Sequence, residues 1–399
     1  MWYTLLQVKR LTEQALMFPF IVWGKQKQHY DSLPDDYDLI CFFPNAGIGG
    51  AEKVNLQVCE ALKDKKTLLI FTKKYNGAIL IQLFERANLQ WIDISEQADD
   101  KRAYWNNIIL RGTMARLIKR QQHKPVIFIG QCNFGYKMTP WINPSNPVVD
   151  LIHVSELKFS LITFPYLRFL KKRITIAETV KNDIVNYYHK IHAPQSFSER
   201  FQVITNAVNI PLFNTQKNFS LPLKIYYAGR GGYPKRIWLI MRVIEQCINQ
   251  KLPVEFHLAG PFENEIPESL RTGITYHGVI TSQSAMYQLH QKMDVLFMTS
   301  AFEGFPLVIQ EAMANRVVPM VTAVNEIPHH ITDSVNGILL PDTTDEQLIV
   351  DTAVQNIKQL CINSEQLQTL SHHAYQYASE HFHEEQFASS YSNALFLDN

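Results

Sequence analysis

Two glutamates, Glu303 and Glu311, are separated by seven residues and flank a turn that favours a helix start. Pro306 suits the first helical position, because its missing N–H would have no intrahelical partner there and its φ is already helical. We therefore predict a helix from about Pro306, with free amides that attract an anion. Those amides belong to Phe305, Leu307 and Val308. Because carboxylates accept strong hydrogen bonds from sugar hydroxyls, the pattern favours a ligand with a charged centre and hydroxyl-bearing ends, such as a nucleotide sugar.

Cations stand at the start of another predicted helix, which we expect from about Ile237 to Asn249. Lys235 and Arg236 would oppose the dipole of that helix by roughly 0.3 to 1 kcal/mol each, and a bound diphosphate would reverse the sign. Arg230, in the preceding glycine-rich loop, can add bidentate contacts to a phosphate. The segment therefore predicts a diphosphate-binding loop.

A pair of glycines, Gly49 and Gly50, follows an apolar run from Asp38 to Phe43 and precedes an amphipathic segment that ends near Leu62. Glycine lets a backbone come close to a ligand, and the next helix would aim its first amides at that ligand. His153 ends a later apolar run. Taken alone, it is better explained as a histidine that is hydrogen-bonded to a neighbouring carbonyl than as a ligand contact.

The elements that must position these residues alternate between short apolar runs and helical segments. Such runs predict parallel, doubly wound α/β sheets, in which ligands bind at the carboxyl ends of the strands. At 399 residues the chain exceeds one core, so two domains are expected. In the first half, the predicted strands span residues 67–72, 89–94, 126–129 and 148–153.

Composition excludes several classes of function. The chain has 38 basic and 37 acidic residues, so no overall positive field attracts nucleic acid. Its 46% hydrophobic and 19% charged residues are typical of a soluble globular protein. The five cysteines are widely spaced, which indicates reduced cytosolic thiols without a disulfide framework or zinc site. Asp36 and Asp38 form an Asp-x-Asp in a predicted loop, and we expect no metal there.

The segment from Glu303 to Pro306, with Glu311, resembles the Glu-x7-Glu motif of the retaining GT-B glycosyltransferases of family 4 type, the glycosyl transferases group 1. The resemblance extends to the glycine pair at Gly49 and to residues 201–209, although Ala207 and Asn209 replace a glycine and an aspartate of the family pattern. Relatives often carry Gly-x-Gly-Pro where this chain has Leu258-Ala259-Gly260-Pro261.

The resemblance implies a GT-B fold, which is two Rossmann-like domains facing across a cleft. Residues 1–214 would form the acceptor-side domain, with an N-terminal helix over residues 1–30. Residues 215–378 would bind the nucleotide sugar, and residues 379–399 would form a helix that crosses back to the first domain. The setting implied is the cytoplasm, with a peripheral contact at the inner face of a membrane left open.

The resemblance also implies a reaction, the transfer of a hexose from a UDP- or GDP-sugar to a hydroxyl of a glycan or lipid-linked acceptor with retention. The donor is the substrate, and no separate cofactor is expected. Glu303 would bind the donor sugar and Glu311 the ribose. Arg230 and Lys235, with the three amides named above, would hold the diphosphate and stabilise the leaving group.

Residues of the first domain complete the implied site. His153 would support the donor sugar near the reacting carbon, and Gly49 and Gly50 would face the donor. Two alternatives stay open: a sugar-nucleotide epimerase on the same fold, and a non-catalytic nucleotide-sugar-binding partner subunit.

The apolar segment from Ala15 to Trp23 is interrupted by Pro19 and is shorter than the ~20 residues of a spanning helix. We interpret it as part of a helix that caps the first domain. The alternative is an interfacial segment, whose anchors would be Trp2, Tyr3, Lys9, Arg10 and Trp23. A basic cluster, Arg168 with Lys171 to Arg173, is expected on a solvated face, where it could help to hold an acidic or lipid-phosphate acceptor.

Overall fold

A computed structural model describes residues 2–47, 49–75, 84, 87, 89–100, 102, 104–155, 157–213 and 217–397. The chain divides into two compact units, one of residues 1–205 with 385–399 and the other of residues 206–384. The predicted domain boundary between residues 214 and 215 lies outside the described residues. Among the helices that are described, none has the length and apolar character that crossing a membrane requires.

The first unit contains a parallel sheet of seven strands in the described residues, in the order β3-β2-β1-β4-β5-β6-β7. Strands β1, β2, β4 and β5 are buried at every position, which explains their continuous apolar sequences. The strands are β1 Leu39–Phe43, β2 Thr67–Phe71, β3 Gln90–Asp93, β4 Val126–Gly130, β5 Val148–Ile152, β6 Lys172–Thr175 and β7 Phe201–Val203. The four strands predicted between residues 67 and 153 are thus confirmed.

Helices connect these strands. The long first helix packs against the helix Tyr104–Lys119, and the last helix returns to this unit, where the Tyr391 ring lies 6.4 Å from the Phe128 ring. The helices are α1 Trp2–Gln26, α2 Gly50–Ala61, α3 Ser95–Ala98, α4 Tyr104–Lys119, α5 Asn133–Met138, α6 Leu157–Thr163 and α7 Glu178–Lys190.

Arg173 differs from its prediction. It was expected with its basic neighbours on a solvated face, but its side chain is only 2% exposed and forms an ion pair of 2.6 Å with Asp150 on the neighbouring strand. Tyr136 donates a hydrogen bond of 2.7 Å to the same carboxylate. A buried charge is stable only when it is paired and hydrogen-bonded, so Arg173 belongs to the core, while Arg168 and Lys171 are exposed.

The second unit contains a parallel sheet of six strands in its described part, in the order β10-β9-β8-β11-β12-β13. This is the dinucleotide-fold order 3-2-1-4-5-6, so the switch point lies between β8 and β11. The strands are β8 Leu223–Ala228, β9 Val254–Ala259, β10 Ile274–Tyr276, β11 Val295–Met298, β12 Val318–Thr322 and β13 Ile338–Leu340. The helices are α8 Ile237–Asn249, α9 Gln283–Lys292, α10 Leu307–Ala314, α11 Ile327–His330, α12 Glu346–Ile362, α13 Ser364–His381 and α14 Glu384–Ser392, the last of which lies almost wholly in the first unit.

Candidate functional site

The two loops with the predicted phosphate and sugar ligands follow the neighbouring strands β8 and β11. These strands pair in parallel, with Ile225 beside Val295 and Tyr226 beside Leu296. Their carboxyl ends therefore meet at the switch point of the second sheet, where the connections to α8 and α10 diverge and leave a crevice. The two walls of this crevice are the loops after β8 and β11, residues 229–236 and 299–306.

An ion pair joins the two loops, because the Lys235 ammonium contacts the Glu303 carboxylate. Both side chains are largely buried, with 18% and 10% of their surfaces exposed. The backbone reinforces the contact, since the Ala301 N–H donates a 2.8 Å hydrogen bond to the Pro234 carbonyl. A cation and a carboxylate that the sequence separates by more than sixty residues thus form one local unit.

Arg236 has a structural position, although it stands beside Lys235 in the sequence. Its Nε donates to the Thr299 carbonyl at 2.5 Å, and its Nη2 donates to the Ser300 carbonyl at 2.9 Å. The Thr322 hydroxyl donates to the same Ser300 carbonyl at 2.5 Å. Arg236 therefore fixes the end of β11, whereas its neighbour Lys235 contacts Glu303.

The helix after β11 begins one residue later than predicted. Pro306 has ψ 138°, which is extended, so it caps α10 and the first helical residue is Leu307. The first-turn amides of Leu307 and Val308 still have no intrahelical acceptor. Just before the helix, the buried Phe305 ring stacks on His330 with centroids 4.1 Å apart. The Glu303 N–H donates to Asn325 Oδ1 at 3.3 Å, so the Glu303 backbone is held against the loop that follows β12.

Glu311 lies in the second turn of α10, on the side that faces α9. Its carboxylate is 23% exposed and lies 3.5 Å from Nε2 of the buried His290. The other ring nitrogen of His290 lies 2.6 Å from the Tyr226 hydroxyl. Burial is the main cause that raises the pKa of Tyr226 well above its usual value, and the Glu311 charge adds to it. The phenol is therefore protonated, and the Glu311 carboxylate beside Nε2 favours the tautomer with its proton on Nε2, in which Nδ1 accepts from the Tyr226 hydroxyl.

Arg230 lies in the same loop as Lys235 but points outward. Its backbone carbonyl accepts a 2.6 Å hydrogen bond from the buried Tyr227 hydroxyl. Among the described residues none forms an ion pair with its guanidinium, which is exposed and available to a ligand. Gly229 keeps this turn close to the sheet, because a Cβ there would lie 2.7 Å from the Tyr227 hydroxyl oxygen.

In the first unit, Gly49 and Gly50 form the start of α2. Gly49 has an extended backbone and caps the helix, while Gly50 is its first residue and is exposed. A Cβ on Gly50 would meet no atom within 4 Å, whereas one on Gly49 would lie 2.4 Å from a carboxylate oxygen of Glu52. The space in front of Gly50 is therefore open, as a loop that approaches a ligand requires.

His153 follows β5 in the first unit and is 7% exposed. Burial lowers its pKa to about 4, so the ring is neutral at neutral pH. Nε2 lies 3.4 Å from Oδ1 of the Asn55 side chain. This oxygen can only accept, so Nε2 carries the proton. The side-chain oxygen of Gln131 accepts from the His153 N–H at 3.0 Å. His153 is therefore a neutral ring with a fixed tautomer, and Nδ1 is an acceptor.

Several residues that shape these places were missed by sequence reasoning. Each of four side chains contacts a predicted ligand-binding residue that is distant in the sequence. They are Asn55 and Gln131 at His153, His290 at Glu311, and Asn325 at Glu303. Only the residue type of Asn325 was a local signal, because asparagine tolerates the left-handed backbone region. Asn325 adopts that region in the structure, with φ 48°. In the described part of the chain, no cluster of three or more His, Cys, Asp or Glu could hold a metal ion.

Comparison with models of protein families gives a match within the second unit of the chain. A family model described as Glycosyl transferases group 1 matches residues 222–358, which include both walls of the crevice and Glu311. No curated protein matches the sequence significantly.

Solved structures match nearly the whole chain. HepE from Anabaena, in complex with UDP and glucose, has a TM-score of 0.71 at 15% identity, over 90% of this chain and 99% of HepE. The pneumococcal O-GlcNAc transferase GtfA, with UDP and GlcNAc, has a TM-score of 0.70 at 14% identity, over 90% of this chain and 98% of GtfA. The lipopolysaccharide outer core galactosyltransferase WaaB has a TM-score of 0.67 at 17% identity, over 90% and 99% of the two chains. The chain has the GT-B glycosyltransferase fold, and the resemblance to the glycosyl transferases group 1 is confirmed over residues 222–358.

Proposed function

We propose that this protein is a glycosyltransferase that moves a hexose from a nucleoside-diphosphate sugar to a hydroxyl of a glycan or lipid-linked acceptor, with retention at the anomeric carbon. The observation that carries the proposal is the Lys235–Glu303 ion pair at the switch point, beside the amides that begin α10. It joins a phosphate ligand and a sugar-hydroxyl ligand in one place, as a nucleotide sugar requires. UDP in two of the similar structures supports a UDP-sugar donor before a GDP-sugar.

The proposed chemistry needs no group other than the donor, the acceptor and the chain. The bond between the anomeric carbon and the diphosphate oxygen breaks, and the leaving diphosphate keeps the electron pair. The acceptor oxygen bonds to the same face of that carbon, and its proton passes to the leaving phosphate. Lys235, Arg230 and the first amides of α10 would neutralise the charge that develops on the diphosphate. Glu303 would hold the sugar hydroxyls, Glu311 the ribose and His153 the sugar.

The setting follows from the same proposal. All five cysteines are free thiols, which fits a reducing compartment, and we propose the cytoplasm. Glycan assembly, of a polysaccharide or a lipopolysaccharide, is the process in which such an acceptor would occur.

The test begins with a thermal-shift screen of UDP-glucose, UDP-N-acetylglucosamine, UDP-galactose and GDP-mannose. Release of nucleoside diphosphate is then measured with and without candidate acceptors, and the product anomer is assigned by NMR. We expect Glu303→Gln and Glu311→Gln to fold and to lose turnover, while Glu268→Gln, at an exposed glutamate of the same unit, keeps it. Full activity in either site variant would remove the assignment. Conversion of the free sugar nucleotide to its epimer without an acceptor would replace transfer by epimerisation.

A further inference from the structure

The first helix exposes an apolar face to solvent. Every residue from 2 to 23 is described, and Lys9 alone is charged among the exposed ones. Leu16 is 75% exposed and Trp2 is 63% exposed. A contiguous exposed patch of large apolar side chains marks an interaction site rather than an ordinary surface. The large apolar side chains of this face are Trp2, Leu5, Val8, Leu11, Leu16, Phe18, Val22 and Trp23, which we call the α1 outer face.

The opposite side of the same helix is packed and comparatively polar. Gln7 Nε2 donates a 3.1 Å hydrogen bond to the Pro165 carbonyl. Arg10 forms an ion pair with Glu13 and lies over the Tyr166 ring, 5.2 Å from its centroid. A surface helix usually exposes its charges, whereas α1 places Arg10 and Glu13 on its packed side, together with apolar residues such as Ile21, and exposes more large apolar side chains than it buries. The α1 outer face is therefore better suited to an apolar environment than to water.

The outer face is fixed in direction by a close contact between α1 and α4. Gly24 and Gly112 bring the two backbones together, because a Cβ on Gly24 would lie 2.0 Å from the Ile109 carbonyl oxygen. A Cβ on Gly112 would lie 2.2 Å from the Ile21 carbonyl oxygen. The Thr113 hydroxyl also donates to the Gly24 carbonyl at 3.2 Å. Because one side of α1 packs against α4, the side available to a further partner is the α1 outer face.

Aromatic and basic residues lie at both ends of this face. Trp2 and Trp23 are 21 positions apart, which is about 32 Å along the axis. The Lys27 ammonium lies over the Trp23 ring, 5.1 Å from its centroid. Lys9, in the first half of the helix, is exposed on the same side. Exposed cations also occur elsewhere in the first unit, at Lys25, Arg168 and Lys171.

We propose that the α1 outer face binds to an anionic lipid bilayer, with the helix parallel to the surface and its apolar side chains in the headgroup and acyl boundary. Tryptophans at the ends and lysines and arginines beside them are the composition that this boundary favours. Anionic headgroups would attract the flanking cations, by about 1 kcal/mol for each cation near the surface.

The test uses the full-length protein and extruded vesicles of phosphatidylcholine, either alone or mixed with phosphatidylglycerol. We expect cosedimentation with the mixed vesicles and much weaker binding to phosphatidylcholine alone. Higher salt should weaken the binding, because the screening length falls from ~10 Å at 0.1 M to ~3 Å at 1 M. Lipids brominated on the acyl chain should quench tryptophan fluorescence, and the quenching should fall in Trp2→Phe/Trp23→Phe.

A matched pair of double variants separates this face from general surface changes. Leu5→Glu/Leu16→Glu puts two charges on the outer face, at side chains that are 59% and 75% exposed. Leu348→Glu/Ile362→Glu puts two charges on α12 of the other unit, at side chains that are 48% and 79% exposed. We expect the first pair to weaken vesicle binding by at least about tenfold, because the glutamates remove apolar burial, and the second pair to keep it.

Two results would overturn the proposal. The first is equal vesicle binding by both double variants. The second is a dimer in vesicle-free solution that Leu5→Glu/Leu16→Glu converts to a monomer, which would assign the face to a second copy of this chain. Donor binding is measured without vesicles, so failure of this proposal and failure of the proposed transferase activity are distinguishable.

Discussion

Nε2 of His290 lies 3.5 Å from a carboxylate oxygen of Glu311, and Nδ1 of the same ring accepts from the Tyr226 hydroxyl. The three residues come from α9, α10 and β8, so the contact connects a predicted ribose ligand to the buried side of the sheet. A carboxylate that is only 23% exposed needs such a partner to keep one orientation. His290 therefore has the geometry of a positioning residue for Glu311.

His290→Phe removes both polar contacts of the ring while it keeps an aromatic side chain in the core. We expect the dissociation constant for UDP to rise about three- to tenfold, because Glu311 loses the 3.5 Å polar contact that orients it and such a contact contributes roughly 1 kcal/mol. Calorimetric titration with UDP and with its 2′,3′-dideoxy analogue measures the effect. The native protein should prefer UDP, and the variant should lose part of that preference. Tyr226→Phe, which keeps Nε2 beside Glu311, should change the preference less, and an unaltered preference in His290→Phe would contradict a role through the ribose.

The ion pair between Lys235 and Glu303 supports a second prediction. Both side chains are mostly buried, so removing one partner leaves an uncompensated charge in the loop. We expect Lys235→Met and Glu303→Gln each to lower the free energy of unfolding by about 1 to 3 kcal/mol, and the double variant to be more stable than the sum predicts. Urea unfolding without donor measures the cycle. Strictly additive losses would show that the two side chains do not interact in solution.

Local patterns explain what the sequence could predict. The strand, turn and helix from Val295 to Ala314 depend on an apolar run, a proline and a helical period, which lie close together in the chain. The α/β alternation then predicted parallel, doubly wound sheets, because crossover connections leave few arrangements, but it did not predict the order of the strands. The resemblance to the glycosyl transferases group 1 placed Arg230, Lys235 and Glu303 in one site, although it could not show which cation meets the carboxylate.

The sequence could not predict side-chain positions that depend on tertiary contacts. Arg173 stands among exposed cations in the sequence, but β6 alternates sides and turns it toward Asp150. Arg236 has φ 52°, so its side chain leaves the direction that a regular helix start would give and reaches two carbonyls of the neighbouring loop. On α1, which was interpreted as a helix on the first domain, the sequence could not show which side packs; Gly24 and Gly112 place one side against α4 and leave Leu16 and Trp23 exposed.

The contact between α1 and α4 makes a third prediction, in which the usual sign of a substitution is reversed. Alanine in place of glycine inside a helix normally stabilises by about 1 kcal/mol. At Gly112 a Cβ would lie 2.2 Å from the Ile21 carbonyl oxygen, so the helices must separate, and we expect Gly112→Ala to cost about 1 to 3 kcal/mol. Thermal and urea unfolding measure the change. Gly50→Ala, a helical glycine with no atom within 4 Å of its would-be Cβ, should be neutral or slightly stabilising. A stabilised Gly112→Ala protein would show that the close packing of α1 is wrong.

The buried His153 ring makes stability depend on pH. Burial lowers its folded-state pKa to about 4, whereas an unperturbed histidine titrates near 6.5. Between these values the unfolded chain binds a proton that the folded chain does not, so stability is fully present above pH 6.5 and is lost as the pH falls toward 4. From pH 7.5 to pH 5 the His153 contribution should decrease by about 2 kcal/mol.

His153→Gln removes this titration while it keeps a polar side chain beside Asn55, so the difference between the two proteins isolates the histidine. We expect the variant to lose less stability than the native protein as the pH falls from 7.5 to 5, because every other group titrates alike in both. Urea unfolding at several pH values measures that difference, and NMR titration of the ring reports the pKa directly. A His153 ring that gains its proton near pH 6.5 would show that it is open to water. The neutral Nδ1 acceptor proposed to support the donor sugar would then be charged over part of the physiological pH range, and its role would have to be assigned to an imidazolium donor.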